Sequence, residues 1–325
     1  MSKLYIEQMQ TALQNVKQIV DQTDKEIADL FTSEELRNSG KVYLAGDGTA
    51  YAAAYALKTA FVQFTDWTGN WVFPMTERDF AYEVLKGDLG FGKNFVLLMH
   101  CQDTDTQIAA DAADKCKKYG CLSYVATTDQ EPVQGYMELI AKGICMALAI
   151  GTAQQKITPD RAAEVKQKLI DYCNQLLQDI PQINNQCGEI AHRMGQQVRN
   201  FETIGTGMDY AAAWLIRLLL YRSTGRVTTV EESEDYLHVN SLNVEPDKFA
   251  TIIVNSAGNP AYDRTLLTIG NVELTNRFGV VMSDGAKQDL PCPMDFVQLP
   301  SSDEYSLKAM GNFVPGALIA EQIQL

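Results

Sequence analysis

Two short glycine-bearing stretches have the spacing that ligand chemistry needs: Gly46-Asp47-Gly48 and Gly205-Thr206-Gly207. The first follows an apolar run, residues 42–45, and leads into an alanine-rich stretch. Glycines at such a strand-to-helix turn let the backbone bend sharply and aim amide N–H groups at a ligand on the helix N-terminus. A small anion is the ligand that such a turn takes. Two common anion-binding patterns are excluded. A dinucleotide fingerprint needs a third glycine where Tyr51 stands, and no G-x-x-x-x-G-K-[ST] occurs.

Composition narrows the ligand further. The 325 residues carry 41 Asp and Glu against 27 Lys and Arg, a formal charge of −14, with no Lys/Arg-rich run. So acidic a surface repels phosphodiester backbones, so nucleic acid is not an expected partner, although backbone N–H groups can still bind a small anion locally. The seven cysteines are scattered, without a C-x-x-C pair, as expected of reduced thiols in a cytoplasm. With three histidines and no Cys/His cluster, neither a metal nor a cofactor is expected. No run approaches the roughly 20 uninterrupted apolar residues of a membrane span. The apolar residues 211–221 are broken by Arg217, and the start MSKLYIEQMQ lacks a signal-peptide apolar region. No membrane partner is expected, and the expected location is cytoplasmic.

The elements that position the glycines come twice. Gly46 matches Gly205, Gly48 matches Gly207, Tyr51 matches Tyr210 and Ala52-Ala53-Ala54 match Ala211-Ala212-Ala213, all at one offset close to half the chain. A period of that size means a duplicated domain rather than a solenoid. Each half opens on a helical pattern, residues 4–30 and 160–178, and continues with apolar strand-type runs at 95–99 and 122–126, or 250–254 and 280–282. Near-continuous apolar strands alternating with helices imply parallel sheets covered on both faces. The expectation is an α/β protein of two doubly wound, three-layer αβα domains of flavodoxin-like type, residues 1–155 and 156–325. In such sheets ligands bind beyond the carboxyl ends of the strands, where the glycine turns lie.

A strand followed by G-x-G-T-[S/A]-Y-x-A-A, and a second strand ending in an S-x-S-G-x-T loop, resembles the double sugar-isomerase (SIS) domain family. That family includes the isomerase half of glucosamine-6-phosphate synthase and the fructosamine-phosphate deglycases. The matching residues are Gly46-Asp47-Gly48-Thr49-Ala50-Tyr51 and Cys101-Gln102-Asp103-Thr104-Asp105-Thr106. The resemblance implies that Gly48, Thr49, Ala50, Tyr51, Cys101, Gln102, Asp103 and Thr106 line a sugar-phosphate site. Thr49, Gln102 and Thr106 keep the family's residue types, whereas Ala50 replaces a common Ser. Cys101 and Asp103 take two Ser positions, and Thr104 stands where Gly is usual. Asp103 beside a phosphate costs about 4 kcal/mol at a separation of about 4 Å and an effective dielectric of about 20.

In the second half, an ungapped reading from Tyr210 places His238 on the family's ring-opening His and Arg222 on its proton-shuttling Glu. An Arg cannot be that base, because it stays protonated. Glu231, Glu232, Glu234 and Asp235 precede His238, in what reads as an acidic, solvated loop, and Glu234 is the candidate to replace the base. The expected function is aldose–ketose isomerisation, or deglycation of an amino-sugar phosphate, through an enediol or enolamine. The expected assembly is a homodimer with sites at the subunit interface. The alternative is a protein that binds a sugar phosphate in a regulatory role and has lost the base. Arg222 also suits a carboxylate on an amino-acid–sugar conjugate.

Overall fold

The computed structural model of the protein describes residues 4–67, 69–89, 93–101, 104–242 and 245–323. Gln102 and Asp103 lie outside the described residues. The chain divides into two compact units, residues 8–173 and 174–325, with residues 4–7 counted in the second.

The first unit begins with α1 (Tyr5–Leu30) and α2 (Ser33–Arg37). Four strand and helix steps follow. They are β1 (Val42–Gly46) with α3 (Thr49–Phe64), then β2 (Val72–Met75) with α4 (Glu77–Tyr82) and α5 (Lys86–Leu89). Next come β3 (Phe95–His100) with α6 (Thr106–Tyr119), and β4 (Leu122–Thr127) with α7 (Pro132–Ala153). The sheet is wholly parallel, in the order β2-β1-β3-β4. Side chains alternate across a strand. Tyr43, Ala45, Val96 and Leu98 accordingly pack with Phe80 of α4 and Ala112 and Cys116 of α6, while α3 and α7 pack together on the other face.

The second unit takes its long helix from α8 (Pro159–Gln197), inside which the division between the units falls. It continues with β5 (Asn200–Gly205), α9 (Met208–Thr224), β6 (Thr228–Glu232) and α10 (Ser233–His238). Then follow β7 (Phe249–Val254), α11 (Tyr262–Leu274), β8 (Phe278–Ser283), β9 (Asp295–Gln298) and α12 (Val314–Gln322). The order β6-β5-β7-β8-β9, all parallel, is the flavodoxin-like order, and the first unit repeats it without the last strand. Ile204, Ile253 and Val281 pack with Tyr236 of α10 and Ile269 and Val272 of α11. The doubly wound α/β architecture expected from the sequence is therefore present in both halves.

Two local readings change. The acidic run before His238 is not a loop: Glu231 and Glu232 end the edge strand β6, and Glu234 and Asp235 open α10. Charged residues suit an edge strand, where they discourage pairing with another chain. The helix expected at 160–178 continues to Gln197. The helix α7 has the length and apolar composition of a membrane span, yet 78% of its most apolar window is buried among its neighbours. It is a core helix of the first unit.

Candidate functional site

In the first unit the chain leaves β1 for β2 on one side and returns as β3 on the other, which opens a crevice beyond Gly46 and Met99. Gly46 must lack a side chain, because a Cβ there would lie 2.7 Å from Ala50 Cβ in the first turn of α3. Gly48 has φ 55° and ψ −117°, a conformation that L side chains rarely adopt. No side chain caps α3. Behind its first turn, Thr49 is 1% exposed, and its Oγ1 has no hydrogen-bond partner among the described residues. Tyr51 is half-buried, and burial raises its phenol pKa.

At the end of β3, Cys101 and Thr104 are hydrogen-bonded to each other. Cys101 N–H donates to Thr104 Oγ1 at 2.8 Å, and Thr104 N–H donates to Cys101 O at 3.0 Å. Asp105 caps α6, its Oδ1 accepting from the N–H groups of Gln107 at 2.9 Å and Ile108 at 3.2 Å. An anion at the α6 N-terminus, where Thr106 is exposed, would therefore meet a carboxylate. The α3 N-terminus, by contrast, has no side-chain cap.

A second group of side chains occupies the same edge, on the face of α4 and α6. His100 ends β3, and its Nε2 is 2.7 Å from Oε1 of Glu77, the first residue of α4. Glu77 is fully buried, and its Oε2 has no partner among the described residues. Leaving a buried carboxylate oxygen without a donor costs at least about 1–3 kcal/mol. The Asp47 carboxylate turns toward the backbone N–H groups of Glu77 and Arg78 at the start of α4, and its Oδ2 has no hydrogen-bond partner among the described residues. Burial, and then the charges of Glu77 and Asp79, push the Asp47 carboxyl above its ordinary value.

The second unit resolves the equivalent positions differently. Gly207 repeats the Gly48 conformation, with φ 60° and ψ −126°, and a Cβ at Gly205 would lie 2.3 Å from Asp209 O. Thr206 stands where the first unit has Asp47, and its hydroxyl donates to Ser233 Oγ at 3.0 Å, which in turn lies 3.2 Å from Thr265 Oγ1. Asp209 stands where the first unit has Ala50 and is fully buried. Its Oδ2 accepts from Ser256 N at 2.9 Å and Asn259 Nδ2 at 2.8 Å, and its Oδ1 from Ser256 Oγ at 2.6 Å and Asn312 Nδ2 at 3.1 Å. Burial raises the Asp209 pKa against these four donors. The chain's own carboxylate thus engages the loop after β7, at a position where the first unit has the methyl group of Ala50.

The remaining residues singled out from the sequence lie in this second unit, where Glu234 and His238 meet and Arg222 stands apart from them. Arg222 is exposed in the last turn of α9, roughly 20 Å along the axis from Asp209. Glu234 and His238 belong to α10, on the opposite face of the sheet from α9. Glu234 receives Arg264 through Nε at 2.7 Å and Nη2 at 2.8 Å, and His238 Nε2 lies 3.2 Å away. The Arg264 guanidinium holds the Glu234 carboxyl below its ordinary value. Sequence reasoning passed over Glu77, His100 and Asp209. Glu77 reads as a helix start after Thr76, and His100 as the polar end of a strand, so only the pairing of β1 with both neighbours reveals their meeting.

A groove of about 540 Å³ opens at the opposite edge of the first unit, lined by Phe31, Leu36, Arg37, Ala153 and Lys166 among others. The ion pair of Asp24 with Lys166 closes one side of it, and it contains no imidazole or uncapped long-helix N-terminus. Chemistry favours the strand-end crevice over this groove.

No family model matches the sequence, and no curated protein matches it. Solved structures share its fold. The C-terminal domain of glucosamine-fructose-6-phosphate aminotransferase from Francisella tularensis has a TM-score of 0.78 at 13% identity, over 99% of this chain and 96% of that one. Tagatose-6-phosphate ketose/aldose isomerase from Escherichia coli has a TM-score of 0.67 at 11% identity, over 98% and 89%. Glucosamine-6-phosphate deaminase from Thermotoga maritima has a TM-score of 0.60 at 13% identity, over 96% and 94%.

Proposed function

We propose that the chain processes a phosphorylated sugar, by aldose–ketose isomerisation or by deglycation of an amino-sugar phosphate, and that the phosphate binds in the first unit at the N-terminus of α3. The observation that carries this reading is Thr49, a buried hydroxyl without a partner behind an uncapped 16-residue helix. The N-terminal amides and a hydroxyl supply what a phosphate needs. The names of the solved structures that share the fold, three of them acting on sugar 6-phosphates, support the substrate class. In this reading Gly48, Thr49, Ala50, Tyr51, Cys101, Gln102, Asp103 and Thr106 surround the ligand. Arg222, Glu234 and His238 join the site only in the assembled protein, for which we propose a homodimer with sites at the subunit interface. The duplicated domains are proposed as residues 1–155 and 156–325.

A second reading, binding without turnover in a regulatory role, is favoured by the Arg264 clamp on Glu234 and by Arg222 at the position of the base. Thermal-shift measurements with fructose 6-phosphate, glucosamine 6-phosphate and fructosyl-amino-acid phosphates, followed by turnover assays of each binder, separate the two. Binding with turnover supports the enzyme, binding alone the regulatory protein, and no shift with any of them removes both.

A further inference from the structure

We propose that Glu77 and His100 form a proton-transfer couple at the strand-end crevice of the first unit, with His100 Nδ1 the base for a hydroxyaldehyde or hydroxyketone bound there. The proposal rests on the sugar-phosphate reading above.

The couple is built across β1. Glu77 arrives from the β2 side and His100 from β3, and they meet at 2.7 Å beyond the strand that carries the glycine turn. Glu77 Oε1 fixes the ring through Nε2, so that nitrogen carries the hydrogen and Nδ1 is the lone-pair nitrogen. No described residue hydrogen-bonds to Nδ1, and the His100 side chain keeps 16% exposure. A carboxylate that orients an imidazole in this way is the arrangement by which a histidine base is held in one tautomer.

Folding alone does not require this pair. At the corresponding end of β6 in the second unit, Ser233 stands where the first unit has Glu77, and its hydroxyl meets those of Thr206 and Thr265. The first unit instead holds a fully buried carboxylate with one oxygen unpartnered.

The step balances without a co-reactant. The proton on the carbon beside the carbonyl passes to His100 Nδ1. The C–H electron pair becomes the C=C bond of an enediolate, whose oxygen takes the charge. The hydroxyl proton on the carbon that lost its hydrogen passes to the enediolate oxygen, the carbonyl forms at that carbon, and the proton on Nδ1 returns to the former carbonyl carbon. His100 is the catalytic residue, and Glu77 a positioning residue.

The test is solvent exchange into fructose 6-phosphate in D2O, read as loss of the C1 proton signal by NMR, beside the ligand-induced thermal shift. Wild-type protein is expected to exchange. His100→Gln should lose roughly 100-fold or more in exchange rate with the thermal shift kept, and added imidazole should restore part of the rate in His100→Ala. Glu77→Gln should lower the exchange rate about 10-fold at unchanged ligand affinity, and it carries the test if circular dichroism shows the His100 variants unfolded. Exchange at the wild-type rate in these variants overturns the couple and leaves the sugar-phosphate reading intact. Binding by wild-type protein without exchange does the same. Absence of any thermal shift across the sugar phosphates overturns that reading, and the couple with it.

Discussion

Gly48 and Gly207 hold the same unusual backbone conformation, 55° and −117° in one and 60° and −126° in the other, at matched places in the two units. No atom lies within 4 Å of a Cβ added at Gly207, so the cost of Gly207→Ala is purely conformational. It should destabilise by about 1–3 kcal/mol in chemical denaturation. Gly48→Ala should cost a similar amount, because the two turns are the same object. A cost confined to one of them would mean that the turns are not equivalent.

Thr49→Val separates stability from binding. Valine keeps the shape of threonine and removes the unpartnered buried hydroxyl, so the ligand-free protein should gain about 1 kcal/mol. The same change should shrink the thermal shift produced by a sugar phosphate. A hydroxyl with only a packing role would leave that shift unchanged.

Asp47 gives a pH prediction with a definite sign. Burial, with Glu77 and Asp79, raises its folded-state pKa above the ordinary 3.8. Its contribution to stability is therefore complete below the unfolded value and is lost as pH climbs through the raised one. Asp47→Asn, which keeps an acceptor for the α4 amides, should be more stable than wild type at neutral pH, by roughly 0.5 kcal/mol after solvent screening. Near pH 3 the two should converge. Urea denaturation at both pH values decides this.

Arg277 and Glu202 form a buried ion pair in the second unit, with Asn240 Nδ2 donating to Glu202 at 2.6 Å and the guanidinium 5.0 Å from the Tyr236 ring centre. Arg277→Met strands the carboxylate and should cost about 3–5 kcal/mol. Adding Glu202→Gln should recover part of that loss. Equal stability of the single and double variants would show that the carboxylate is compensated elsewhere.

What was legible in the sequence follows from how local each constraint is. The glycine turns could be read because steric demands fix residue type within a few positions: Ala50 and Asp209 crowd Gly46 and Gly205. The paired helices and the inner strands showed through their apolar runs. The edge strands β2, β6 and β9 did not, since Pro74, Glu231 and Asp295 disguise four- and five-residue segments. Asp209 looked like an arbitrary residue between a glycine and a tyrosine; its four donors come from Ser256, Asn259 and Asn312, far along the chain. The acidic run before His238 looked free in sequence, yet Arg264 claims Glu234 from the next helix.

Asp209 has one more consequence, for how the two units respond to what they bind. Its carboxylate is carried on α9, so its effective concentration at Ser256, Asn259 and Asn312 is set by covalent connection and not by the surrounding solution. A free ligand can stabilise a fold only in proportion to its concentration over its dissociation constant. Calorimetry at increasing sugar phosphate should therefore move the melting of one half of the protein while the other half stays where it is.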